Sequence, residues 1–123
     1  PDDEQETNDM RRRIIARHKE TFQKAMKMGV KIAFGTDVGA YEHGTSVREF
    51  IRMVEYGMKP IDAIRCATTR AAELLRMEKD VGTIETGKYA DIIAVEGNPL
   101  ENIEALKLVA FVMKEGKVYK QTH

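Results

Sequence analysis

The hydrophobic pattern of this chain changes period once, near Met77, and that switch restricts the fold more than any other feature. Before it, apolar residues recur every three or four positions, the spacing of one helix face. After it they come in short β-branched runs separated by turns. Ile14, Ile15, His18, Phe22, Ala25 and Met26 follow Met10 at helical steps, and Gly29 is placed to end that helix. Val30-Lys31-Ile32-Ala33-Phe34 reads as a short buried strand stopped by Gly35. A second helix is expected after Ser46, with Glu49 in the reciprocal capping position, Val47, Phe50, Ile51 and Val54 facing inward, and an end near Gly57. Pro60 opens a third helix through Ile61, Ile64, Ala67 and Thr68, with a further turn carrying Ala71, Ala72, Leu74 and Leu75.

Past Met77 the expected strands are Gly82-Thr83-Ile84 and Ala90 to Val95, with a turn at Glu85-Thr86-Gly87-Lys88 between them. Gly97-Asn98-Pro99 closes that run. Leu108 to Met113 and Lys117 to Tyr119 flank Glu115-Gly116 as a two-residue hairpin. The change of period puts a structural boundary at about Arg76 to Val81. A chain of 123 residues suits one core, and a complete (β/α)₈ barrel, which needs at least about 200 residues, does not fit in it.

With 42% hydrophobic and 33% charged residues, 20 basic against 20 acidic, the composition is that of a soluble globular protein. Balanced charge argues against nucleic-acid or membrane-surface partners. The acidic opening Pro1-Asp2-Asp3-Glu4 is unlike a signal peptide, so a cytoplasmic address is expected. The start at Pro1 rather than a methionine hints at a piece of a longer polypeptide. Cys66 stands alone beside Ile64 and Ala67 and reads as a small buried side chain with no chemistry.

Gly35-Thr36-Asp37-Val38-Gly39-Ala40-Tyr41-Glu42-His43-Gly44 is a glycine-rich loop after the first expected strand. In α/β folds a carboxylate there, Asp37 in this chain, lines the crevice where ligands and metals bind. The alternative for Asp37 is an Asx-turn or cap satisfying nearby amides. His43 could reach the same crevice, or could be a solvated loop histidine. His18 reads as a packed helix residue and Asp91 as a turn-maker. No His-x-His, His-Glu-x-x-His or Cys-x-x-Cys is present, so Asp37 is at most one ligand of a metal site built elsewhere. Neither a phosphate-cradling glycine pattern nor a Gly-x-Ser-x-Gly elbow occurs.

Phe34-Gly35-Thr36-Asp37-Val38-Gly39 resembles the segment at the end of the eighth barrel strand in the amidohydrolase superfamily. Gly82 to Ile93, followed by Gly97-Asn98-Pro99-Leu100, and the ending Val112 to Val118 resemble that family's return to a small β-sandwich. With Pro60 to Ile64 and Ala67 to Ala72 between them, the likeness runs from about Arg11 to Tyr119. It is nearest to the imidazolonepropionase-like and Xaa-Pro dipeptidase-like branch.

That resemblance implies an α/β fragment: residues 1–78 as the end of the barrel of a metal-dependent hydrolase, and 79–123 as part of a small composite β-sandwich. It implies that Asp37 ligates a divalent metal, usually zinc, and passes a proton from a metal-bound water to the leaving nitrogen. One or two ions are compatible with it, and their other ligands lie upstream of this chain. It places His43 near the substrate, a small-molecule amide or dipeptide. The isolated chain is then expected to be inactive, and to associate with itself or with the missing N-terminal portion. At Lys59 relatives of this kind carry Thr or Ser, so a side-chain helix cap is lost here. The competing reading is a catalytically silent module that acts only in folding or interaction.

Overall fold

The computed structural model describes residues 2–37 and 44–122, with side chains from Glu4 onward. It divides into two compact units, Pro1–Lys31 and Ile32–His123. The first is a single helix, α1, Asp2–Lys27, which begins earlier than the apolar pattern alone predicts. Carboxylates such as Glu4 near its start suit the positive end of the helix dipole. It ends as expected. Gly29 has φ +70°, its N–H donates to the Met26 carbonyl at 3.0 Å, and the Val30 N–H donates to that of Ala25 at 3.0 Å. Those two bonds satisfy carbonyls that a helix end leaves orphaned.

Val30 to Phe34, which the sequence predicts to be a strand, run across the division between the two units. Residues 30–37 form neither helix nor β-ladder among the described residues. A strand exists only as half of a pair, so β-branched content alone does not make one. Helices α2 (Val47–Glu55), α3 (Pro60–Ala67) and α4 (Thr69–Leu75) follow. The expected cap at Ser46 does not form: Ser46 is itself helical, with φ −56° and ψ −24°, whereas a capping side chain needs an extended backbone. Instead its carbonyl accepts the Glu49 N–H at 3.1 Å.

At the other end of α2, Gly57 turns left-handed at φ +102°, and the Met58 N–H reaches back to the Met53 carbonyl at 3.1 Å. Both methionines are buried, which adds the apolar contact that accompanies this kind of helix end. Thr68 separates α3 from α4. Its hydroxyl donates to the Ile64 carbonyl at 2.9 Å, the local competition by which threonine disturbs a helix.

Ile92–Val95 (β1), Val109–Lys114 (β2) and Lys117–Gln121 (β3) form an antiparallel sheet in the order β1-β2-β3. The β2–β3 turn is the expected one: Glu115 and Gly116 both have positive φ, +50° and +80°, as the tight turn that matches strand twist requires. Gly82-Thr83-Ile84, predicted as a strand, is a bent segment without a ladder partner among the described residues. A short 3₁₀ helix, Ile103–Lys107, packs against α2. The core joins Met53, Tyr56 and Met58 from the end of α2 to Ala63 and Cys66 of α3, Ala72 of α4, and Ile103 and Ala105. Among the described residues no helix is long and apolar enough to cross a membrane.

Candidate functional site

Asp37 closes the irregular stretch 30–37, and its position follows from how that stretch is held. The carbonyls of the last turn of α3 have no partner within the helix. One of them, that of Cys66, accepts the Phe34 N–H at 2.9 Å. The Phe34 ring stacks on that of Phe50 from α2, with centroids 4.3 Å apart and planes inclined by 23°. Main chain and ring are thus held by two different helices. Three residues further on, Asp37 is exposed and left-handed at φ +48°. Aspartate tolerates that conformation better than most residues, at a cost of about 1 kcal/mol. The amides that an Asx-turn at Asp37 would use belong to the residues that follow it, which lie outside the described ones.

His43 lies outside the described residues, so its distance from Asp37 is not part of the geometry. Zinc in a protein takes about four donors, three of them side chains in hydrolytic centres. Asp37 offers one, and among the described residues no three His, Cys, Asp or Glu side chains stand close enough to hold a metal ion. These residues alone therefore do not compose a metal site. An apolar groove of about 530 Å³ between α3, α4 and β1, lined by Ile64, Leu75, Ile84 and Ile93 among others, does not include Asp37.

The other singled-out side chains have structural settings. Cys66 is fully buried, with its sulfur 3.4 Å from Arg70 Nη1, while Arg70 Nη2 donates to Asp62 Oδ1 at 3.3 Å. His18 lies on an exposed part of α1. Asp91 is the turn-maker it reads as, but for a turn distant in sequence. Its Oδ1 accepts the Glu115 N–H at 2.8 Å and its Oδ2 accepts Lys114 Nζ at 2.6 Å, clasping the β2–β3 hairpin. The Lys114 ammonium, followed by the Glu115 amide, holds the Asp91 carboxyl below its ordinary range; Asp91, followed by Glu115, holds Lys114 above its own.

Sequence reasoning missed two devices. Lys88 donates to the Glu78 carbonyl at 2.7 Å and to the Thr83 hydroxyl at 2.6 Å, and pairs with Glu85 at 3.0 Å. Its hydrogen bond to Glu85, followed by that of Thr83, holds the Glu85 carboxyl low. Phe50, counted only as an inward helix residue, is the platform under Phe34. A lysine amid Glu78, Asp80 and Glu85 was the available signal for the first; nothing local marks the second.

A family model described as the amidohydrolase family matches residues 6–119. The ochratoxinase of Aspergillus niger is 39% identical over 108 residues, covering 84% of this chain and 22% of that protein. The imidazolonepropionase of Symbiobacterium thermophilum is 28% identical over 102 residues, covering 78% of this chain and 24% of the relative. Among solved structures, a Xaa-Pro dipeptidase with methionine bound in its active site is 53% identical and superposes with a TM-score of 0.80, covering 83% of this chain and 25% of that one. The chain thus spans about a quarter of the length of these relatives.

Proposed function

This chain belongs to the amidohydrolase family, and from that membership we propose that it carries one carboxylate, Asp37, of a centre that hydrolyses amide C–N bonds in small molecules. The substrate class is an Xaa-Pro dipeptide or a related acylated or cyclic amide. What supports this narrower choice is the 53% identity to a Xaa-Pro dipeptidase. Residues 1–78 are read as the seventh helix, eighth strand and eighth helix of a (β/α)₈ barrel plus α3 and α4, and 79–123 as part of a β-sandwich. A divalent metal, zinc by the family's habit, would take its remaining ligands from groups outside the described residues.

The observation that carries the reading is the exposed, left-handed Asp37 presented at the end of a stretch anchored to two helices. A positioned carboxylate is the kind of group that general acid–base catalysis uses. In the metal-loaded hydrolase that contains this chain, Asp37→Asn is expected to lower kcat on Xaa-Pro dipeptides by about 10²- to 10⁴-fold. Its unfolding midpoint should not move. Retention of activity within tenfold would remove Asp37 from the chemistry.

A second reading has its own support. Leu75, Ile84 and Ile93, which line the apolar groove, are 66%, 79% and 56% exposed. Contiguous exposed apolar surface of this kind marks an interaction face. On that reading the chain alone binds further polypeptide without turnover, and it is expected to self-associate. Light scattering that returns a stable monomer at micromolar concentration would contradict the association.

A further inference from the structure

Resting on the assignment of Asp37 above, we infer that Phe50 is a positioning residue, which sets where the Asp37 carboxylate stands by stacking on Phe34. Among residues 32–37 the Phe34 N–H is the one backbone donor with a described backbone partner, the Cys66 carbonyl. A single hydrogen bond fixes a point and leaves the chain free to pivot about it. The ring stack at 4.3 Å adds a second point and removes the pivot. Only Gly35 and Thr36 lie between this clamp and Asp37, so the lever from Phe34 to Asp37 is at most about 11 Å.

Both supports are rigid. Cys66 is fully buried in the last turn of α3. Phe50 stands on α2, whose end is tied down by the Met58-to-Met53 bond and two buried methionines. Among the described residues a Cβ built at Gly35 would meet no atom within 4 Å, so none of them packs against that point to replace the clamp. A left-handed aspartate persists only where its surroundings over-determine it. In residues 32–37 the Cys66 carbonyl and the Phe50 ring are two such surroundings.

Catalytic groups are sensitive to this. A displacement of about 1 Å at a reacting group can cost about 10²-fold in rate. Phe50 itself touches no reacting atom; it acts through Phe34.

The test compares Phe50→Leu, which keeps apolar bulk but removes the ring, with Phe50→Tyr, which keeps the ring, in the intact metal-loaded hydrolase acting on an Xaa-Pro dipeptide. Phe50→Leu is expected to lower kcat by roughly ten- to a hundredfold with KM within about threefold. Hydrogen exchange at the Phe34 amide should quicken roughly tenfold, equivalent to about 1.4 kcal/mol. Phe50→Tyr should restore both. If Phe50→Leu cannot be purified folded, Phe34→Leu gives the same readouts from the other ring. Asp37→Asn runs alongside. If it stays active, the assignment of Asp37 and this inference fall together. If it is inactive while Phe50→Leu keeps kcat within twofold, or leaves Phe34 exchange unchanged, the assignment stands and the positioning role is overturned.

Discussion

Among the described glycines, Gly82 leaves the least room for a side chain. A Cβ added there would lie 2.8 Å from the Ala72 Cβ, 3.3 Å from the Thr68 carbonyl oxygen and 3.3 Å from the Thr69 Cα. Ala72 is 3% exposed and cannot swing toward solvent, and the other two atoms are backbone at the α3–α4 junction. Overpacking of that kind costs about 1–3 kcal/mol. The φ of +98° adds about 1 kcal/mol for any side chain. Gly82→Ala should therefore destabilise the second unit by about 2–4 kcal/mol. With a urea m-value of about 1.5 kcal/mol/M, the midpoint falls by about 1.3–2.7 M.

Gly87→Ala is the control. Its φ is similar, +92°, but an added Cβ meets nothing within 4 Å, so only the conformational part remains. That part is offset by the entropy an alanine removes from the unfolded chain, about 0.4–1 kcal/mol. The difference between the two midpoints isolates the steric clash. Ala72→Gly in the Gly82→Ala background should recover part of the loss, a coupling of about 1–2 kcal/mol. Equal midpoints for Gly82→Ala and Gly87→Ala, or strict additivity in the double variant, would refute the close-approach argument.

Lys59 precedes α3 with an extended backbone, φ −66° and ψ 142°, and no side-chain cap, so Lys59→Ser is expected to stabilise by about 1 kcal/mol, measured by urea unfolding. Arg76 ends α4 in the left-handed region at φ +57°, and Arg76→Gly should raise the stability measured by urea unfolding by up to about 1 kcal/mol, whereas Arg76→Val should lower it. The Asp91–Lys114 clasp predicts a pH dependence. The Asp91 carboxyl is depressed on folding, so its stabilisation is present above the ordinary value of 3.8 and is lost as pH falls through the lower folded value. Lys114 is raised, so its share is present below 10.5 and is lost as pH climbs through the higher folded value. Urea midpoints against pH should show both slopes, and Asp91→Asn should shrink both, leaving the acid share of Glu85 and the alkaline share that Glu115 gives Lys114.

Much of this architecture was legible locally. Gly29 and Gly57 announce helix ends because only glycine enters the left-handed region freely, and both end as read. Glu115-Gly116 announces a tight hairpin for the same reason, and the apolar run before it is β2. The family resemblance, carried by Phe34 to Gly39 and Gly82 to Ile93, was also legible, and the match over residues 6–119 agrees with it. Where a rule needed a partner, local reading failed. Val30 to Phe34 has strand composition but no strand beside it among the described residues. Ser46 and Glu49 have the spacing of a capping box but the wrong backbone at Ser46 to use it.

Sequence by itself determined where the backbone can turn, which faces are apolar, and that one carboxylate follows a hydrophobic stretch in a glycine-rich loop. Those are properties of single residues and their near neighbours, set by φ/ψ limits and by periodicity. Tertiary structure alone decided that the Cys66 carbonyl and the Phe50 ring take hold of Phe34, that Asp91 clasps a turn 24 residues away, and that Gly82 must lack a side chain because Ala72 lies against it. Each depends on a distance between residues far apart along the chain, and no local propensity encodes such a distance.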